Sequence, residues 1–88
     1  MTREEIEQLA EASGFEGVVL ADGFEDSFVG FAERCGSGPV AVYDFDNAVK
    51  SLMARSFMTE DDACEYLHFN VLGAYAGEQT PWFITVKA

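Results

Sequence analysis

A capped, amphipathic helix in the C-terminal half constrains this chain more than any other stretch. It begins at Met58-Thr59-Glu60-Asp61-Asp62-Ala63. The Thr59 hydroxyl can accept from the amide three residues on. Asp62 can reach back toward the Thr59 amide, although Glu is the usual partner and Asp is shorter. Glu60, Asp61 and Asp62 fall in the first turn, where carboxylates meet the positive end of the helix dipole. Ala63, Leu67, Asn70, Val71 and Ala74 then recur at helical spacing, with Cys64, Phe69, Leu72 and Tyr75 widening the apolar face. Gly77 is the expected stop. A helix of this kind is expected to be the spine against which a sheet packs.

The elements before it follow similar signals. Thr2 to Ser13 reads as a helix, with Thr2 and Glu5 forming a capping box, Ile6, Leu9, Ala10 and Ser13 on one face, and Gly14 as the stop. Phe15 to Ala21 reads as a strand covered on both sides, because its apolar residues run without alternation around Val18-Val19-Leu20. Asp22-Gly23 marks a turn, and Phe24 to Ser27 fits a loop or one helical turn. Phe28 to Arg34 is the second strand. Strict alternation puts Phe28, Gly30 and Ala32 on one face and Val29, Phe31 and Glu33 on the other; a helix over Glu25 to Arg34 is the runner-up, weakened by Gly30. Cys35-Gly36-Ser37-Gly38 is the connection of a hairpin into Pro39-Val40-Ala41-Val42-Tyr43.

Asp44 or Asp46 then caps a second helix with a buried stripe of Ala48, Val49, Leu52 and Met53 and an Arg55 suited to its C-terminal end. The short Ser56-Phe57-Met58 link makes a hairpin of it and the Thr59 helix. Pro81 to Val86 is the last strand. The expected order is helix, three strands, two helices, strand. That is one small α+β domain over residues 1–88, with a three- to four-stranded, mainly antiparallel sheet packed against about three helices.

Charge narrows the function classes. Sixteen acidic residues against five basic ones give the 88-residue chain a formal charge of −11. Such a field repels a nucleic-acid backbone and attracts a basic partner. Direct nucleic-acid binding is therefore not expected, nor is a membrane role, since no apolar run reaches spanning length. Met1-Thr2-Arg3-Glu4-Glu5 does not read as a signal peptide, so a cytoplasmic location is expected. A chain this short has a small core, and a homodimer covering part of the Phe surface is a further option. Salt adaptation, with the charge serving solubility alone, is another.

No catalytic motif emerges. Asp22, Asp26, Asp44 and Asp46 flank strand ends and would gather around a hard cation if the Val18 and Pro39 strands emerged together. The plainer reading makes them turn and cap residues, and their spacing fits no EF-hand loop. His68, the single histidine, lies one turn from Cys64 without the partners of a triad, and Cys35 and Cys64 have no metal-type spacing. The glycines form no phosphate loop or dinucleotide fingerprint. No cofactor and no enzymatic activity are expected. Tyr66, Phe69, Tyr75, Trp82 and Phe83 are expected to be mostly core, with any exposed ones serving as interface anchors. The residues that would meet a basic partner are Asp22, Glu25, Asp26, Asp44, Asp46, Glu60, Asp61, Glu65 and Glu78.

Three segments also carry a resemblance. They are Ala21-Asp22-Gly23-Phe24-Glu25-Asp26-Ser27-Phe28-Val29-Gly30, then Pro39 to Asp46, then Met58 through Pro81, whose sharpest part is Phe69-Asn70-x-x-Gly73-Ala74-Tyr75-x-Gly77-Glu78-x-Thr80-Pro81. Over roughly Gly17 to Phe83 the chain resembles a family of small, acidic, uncharacterised proteins of phages, plasmids and microbial genomes. The resemblance implies no catalytic residue. By analogy it implies a host-directed inhibitor of the anti-CRISPR type. Such an inhibitor would engage a basic host protein or nucleoprotein complex, such as a CRISPR effector, by presenting carboxylates to Lys/Arg arrays built for phosphates.

Overall fold

The computed structural model describes residues 2–21, 23–33, 38–71 and 80–85. Helix α1 spans Arg3–Ala12. A 3-10 turn over Glu25–Ser27 leads into β1, Phe28–Ala32. Strand β2 is Val40–Asp44, helix α2 is Phe45–Ser56 and helix α3 is Glu60–Tyr66, which continues as a π turn over Leu67–Val71. Strand β3 is Trp82–Ile84. The fold is a small α+β domain in which three helices pack with a three-stranded sheet of order β1-β2-β3.

The sheet is mixed. β1 and β2 form the expected antiparallel hairpin, but β3 lies parallel to β2. Parallel neighbours cannot be joined by a tight turn, so the chain must cross over between them. α2 and α3 lie within that crossover, with α2 against β2 and α3 against α2.

The helix ends follow local chemistry. In α1 the Glu5 amide donates to the Thr2 hydroxyl at 3.2 Å, and the Thr2 amide donates to the Glu5 carboxylate at 3.0 Å. The hydrogen bonds that the Glu5 carboxylate accepts from Thr2, first from its backbone amide and then from its side chain, hold that carboxyl below its ordinary pKa. The other end closes as a Schellman motif: Gly14 sits at φ 75°, its amide meets the Glu11 carbonyl, and the Phe15 amide meets that of Ala10. Asp44 rather than Asp46 caps α2, accepting from the Asn47 amide at 3.2 Å. Thr59 caps α3 by accepting from the Asp62 amide at 3.2 Å. Among the described residues the reciprocal contact from the shorter Asp62 side chain is not made.

The expected strand over Phe15 to Ala21 does not form. Gly14 and Gly17 both take positive φ, which breaks an extended path. The segment instead runs irregularly from α1, with Val18 and Leu20 against the core. The Ala21 amide, which a ladder would have paired, donates to the Tyr43 phenol oxygen at 3.0 Å. The turn assigned to Asp22-Gly23 is half visible: Gly23 has φ 88°, and Asp22 lies outside the described residues. So do Cys35, Tyr75, Gly77 and Glu78.

Strand β1 departs from strict alternation. Phe28 faces Tyr43, Gly30 faces Val42 and Phe31 faces Ala41, so Val29 is the extra residue of a β-bulge. Opposed residues share a face of the sheet. The bulge therefore moves Phe28 and Phe31, expected on opposite faces, to the one that holds Tyr43 and Ala41.

That face carries the core. Tyr43 is 1% exposed, stacks on Phe83 with centroids 5.1 Å apart, and meets Phe28 edge-on at 5.7 Å. Phe28 meets Phe31 at 5.2 Å and Phe31 meets Phe15 at 5.4 Å. On the other side Phe83 meets Phe24 at 5.6 Å, and the Arg55 guanidinium lies over the Phe24 ring at 5.0 Å while donating to the Gly23 carbonyl. One aromatic chain thus runs from the end of α1 through the sheet to the end of α2. Ala48, Val49 and Leu52 of α2 and Ala63 and Leu67 of the α3 segment complete the core, while Met53, expected in the α2 stripe, is partly exposed.

Two outcomes follow. Tyr43→Phe keeps the ring contacts but leaves the buried Ala21 amide without its acceptor, and is expected to cost about 1–3 kcal/mol in urea denaturation. Phe57, at the C-cap of α2, is 93% exposed and left-handed at φ 55° and ψ 33°, where a bulky side chain is strained. Phe57→Asn is expected to stabilise the protein by about 1 kcal/mol, visible as a higher Tm. A lower Tm would show that Phe57 has a folded-state contact its exposure does not reveal.

Candidate functional site

Twelve of the sixteen carboxylates fall into three groups along the chain. Glu4, Glu5, Glu7 and Glu11 are exposed on α1. Glu25, Asp26, Asp44 and Asp46 belong to the 3-10 turn and the start of α2. Glu60, Asp61, Asp62 and Glu65 are exposed on α3.

Asn47 organises the second group. Its amide donates to the Asp44 carboxylate, and its side-chain nitrogen donates to the Asp26 carbonyl at 2.9 Å. The turn before β1 is thereby fastened to the start of α2. Asn47 is not among the expected site residues. Its place three residues after a capping Asp is a signal for the first bond, but nothing local announces the second, across 21 residues. Asp44 is thus occupied as a cap, and Asp26 is tied through its backbone rather than its carboxylate. Among the described residues, no set of three or more His, Cys, Asp and Glu side chains is arranged to hold a metal ion. Asp22, the fourth member of the proposed cation set, and Glu78 lie outside them.

The second and third groups meet at a cleft between α2 and α3. Phe45, Asp46, Val49, Lys50, Met53, Glu60 and Cys64 line a cavity of about 360 Å³ there. Cys64 is a half-buried free thiol. His68 is exposed, with its ring 5.5 Å from Phe45.

Further along α3 the surface changes character. Met58, Asp62, Glu65, Tyr66 and Phe69 line a second cavity of about 360 Å³. Phe69 is 73% exposed and Tyr66 37%. Trp82 is also exposed, so of the C-terminal aromatics expected to be mostly core only Phe83, among the described residues, packs there. The cause is helical spacing. Ala63 and Leu67, four apart, are both fully buried. Asp62, Glu65, Tyr66 and Phe69 stand at i, i+3, i+4 and i+7, off the face of Ala63 and Leu67, and all four are exposed. This stripe was legible in the sequence, but counting Phe69 with the apolar face concealed it.

The α3 surface sets exposed carboxylates beside exposed aromatic rings. On α1 Arg3 and Glu7 form an ion pair at 2.8 Å. No described helix is long and apolar enough to cross a membrane. No protein-family model, curated protein or solved structure matches the chain.

The Asp44 geometry yields a discriminating pair of variants. Asp44→Ala removes the cap of α2 and is expected to cost about 1 kcal/mol by chemical denaturation, whereas Asp44→Asn, an equally good cap, should stay within a few tenths. Equal losses in both would give the charge itself a role.

Proposed function

We propose that the protein is a binding module without catalytic chemistry, which uses its acidic surface to engage a basic partner. The observation that carries this reading is the α3 face, where Glu60, Asp61, Asp62 and Glu65 are exposed next to the exposed rings of Tyr66 and Phe69. Carboxylates supply attraction and orientation at long range, and aromatics supply short-range contact area. Glu25, Asp26, Asp44 and Asp46 extend the same sign of charge, and Asp46 and Glu60 meet at the cleft between α2 and α3.

The partner class that fits is a protein surface built from Lys and Arg to hold nucleic-acid phosphates. The chain would occupy such a surface in place of the nucleic acid. That is the chemistry of a phage or mobile-element inhibitor, in keeping with the family resemblance of Phe69 to Pro81, and an effector complex with a nucleic-acid channel is one such target. The net charge of −11 supports recognition of this kind and opposes direct contact with nucleic acid.

Poly-L-lysine is a minimal stand-in for such a surface. Its affinity, followed by fluorescence anisotropy, is expected to fall steeply as ionic strength rises from low to physiological, and a heparin competitor should displace it. No association at low salt, or association indifferent to salt, would refute the reading.

A further inference from the structure

We infer that the cleft of Met58, Asp62, Glu65, Tyr66 and Phe69 is a receptor for one arginine-bearing apolar segment of the partner, and that it supplies most of the contact energy of the acidic surface. This rests on the function proposed above and deepens it: charge is spread over three groups, but the cleft is where charge and exposed aromatic surface coincide.

Its lining defines the occupant. Two carboxylates and no cation border it. Neither Asp62 nor Glu65 forms an ion pair among the described residues. Tyr66 and Phe69 line it with aromatic rings, whose faces attract cations, and Met58 offers a polarisable thioether that adapts to an irregular apolar surface. A planar guanidinium satisfies both demands, stacking on a ring while its edge donates to a carboxylate. The protein already uses half of this arrangement internally, where Arg55 lies over Phe24 and donates to the Gly23 carbonyl. A lysine would make the charge contact without the planar stack. An apolar neighbour on the incoming segment would cover the rest of the Phe69 ring and the Met58 side chain.

The same lining argues against other occupants. A second copy of the chain brings the same net charge of −11, and like charges facing one another are repelled. Nucleic acid and anionic lipid are disfavoured for the same reason.

The stripe also separates binding from folding. Asp62, Glu65, Tyr66 and Phe69 are exposed while Ala63 and Leu67 are buried, so truncating the four leaves the core intact.

The test compares two probes, a short amphipathic Arg/Leu peptide and poly-L-lysine, by titration at low ionic strength. The wild-type chain is set beside three double variants: Tyr66→Ala with Phe69→Ala, Asp62→Asn with Glu65→Gln, and Glu4→Gln with Glu11→Gln on α1 as a control of equal charge change. Circular dichroism and thermal melting verify folding of each. Both cleft variants are expected to weaken the Arg/Leu peptide about tenfold or more, with the α1 control within about twofold. The aromatic variant should leave poly-L-lysine nearly unchanged. If the α1 control loses as much as the cleft variants, binding is diffuse electrostatics: the cleft assignment falls and the acidic binding module stands. If neither probe binds the wild type, both fall. If sedimentation shows a wild-type dimer that Tyr66→Ala with Phe69→Ala dissolves, the occupant is a second copy and the inference is overturned.

Discussion

The Tyr43 side chain is the point on which the rest of the structure depends. Its phenol oxygen receives the Ala21 amide and so holds the irregular segment after α1 to the centre of the sheet. Its ring meets Phe28 on β1 and Phe83 on β3, so the two outer strands are tied to β2 by side chains as well as by ladders. A tyrosine serves here because the site needs a large apolar body and one polar atom at its tip. The small core is thus built from rings that share edges and faces, running out to Phe15 in one direction and to Phe24 and Arg55 in the other. Such a core gains area from few residues, which suits a chain with a high ratio of surface to volume.

The helices connect that core to the surface. The α3 segment turns Ala63 and Leu67 inward and its carboxylates and two rings outward. Acidic residues in its first turn are favoured by the helix dipole, so part of this charge also stabilises the fold. Asp44 shows the same double use: it begins α2, and through Asn47 it belongs to the link that holds the 3-10 turn in place. Glu65, Tyr66 and Phe69 have no such local duty among the described residues, so little of the fold's stability rests on their side chains.

Much of this was legible in the residues. Thr2 with Glu5, Gly14, Asp44 and Thr59 marked helix ends because capping is a short-range hydrogen-bonding problem solved within four residues. The hairpin of β1 and β2 followed from its apolar runs. The strand assigned to Phe15 through Ala21 failed because continuous apolarity reports burial, not ladder pairing, and glycines at positive φ bend that path. Alternation failed at Phe28 and Phe31 because a bulge at Val29 changes which residues share a face, and bulges depend on the partner strand. The candidate site divides the same way. The outward spacing of Asp62, Glu65, Tyr66 and Phe69 could be counted in the sequence, whereas the union of Met58 with that stripe in one cleft could not.

By itself the sequence determined where the helices begin, the class of fold and the sign of the net charge, since each is set by composition or by contacts between near neighbours. Tertiary structure alone decided that β3 lies parallel to β2, that Tyr43 receives the amide of Ala21, and that Arg55 covers Phe24. Those partners are 22 to 40 residues apart in the chain and meet only through packing of the whole core. No local propensity specifies them; they form because burying the shared aromatic rings leaves each polar group one place to find its partner.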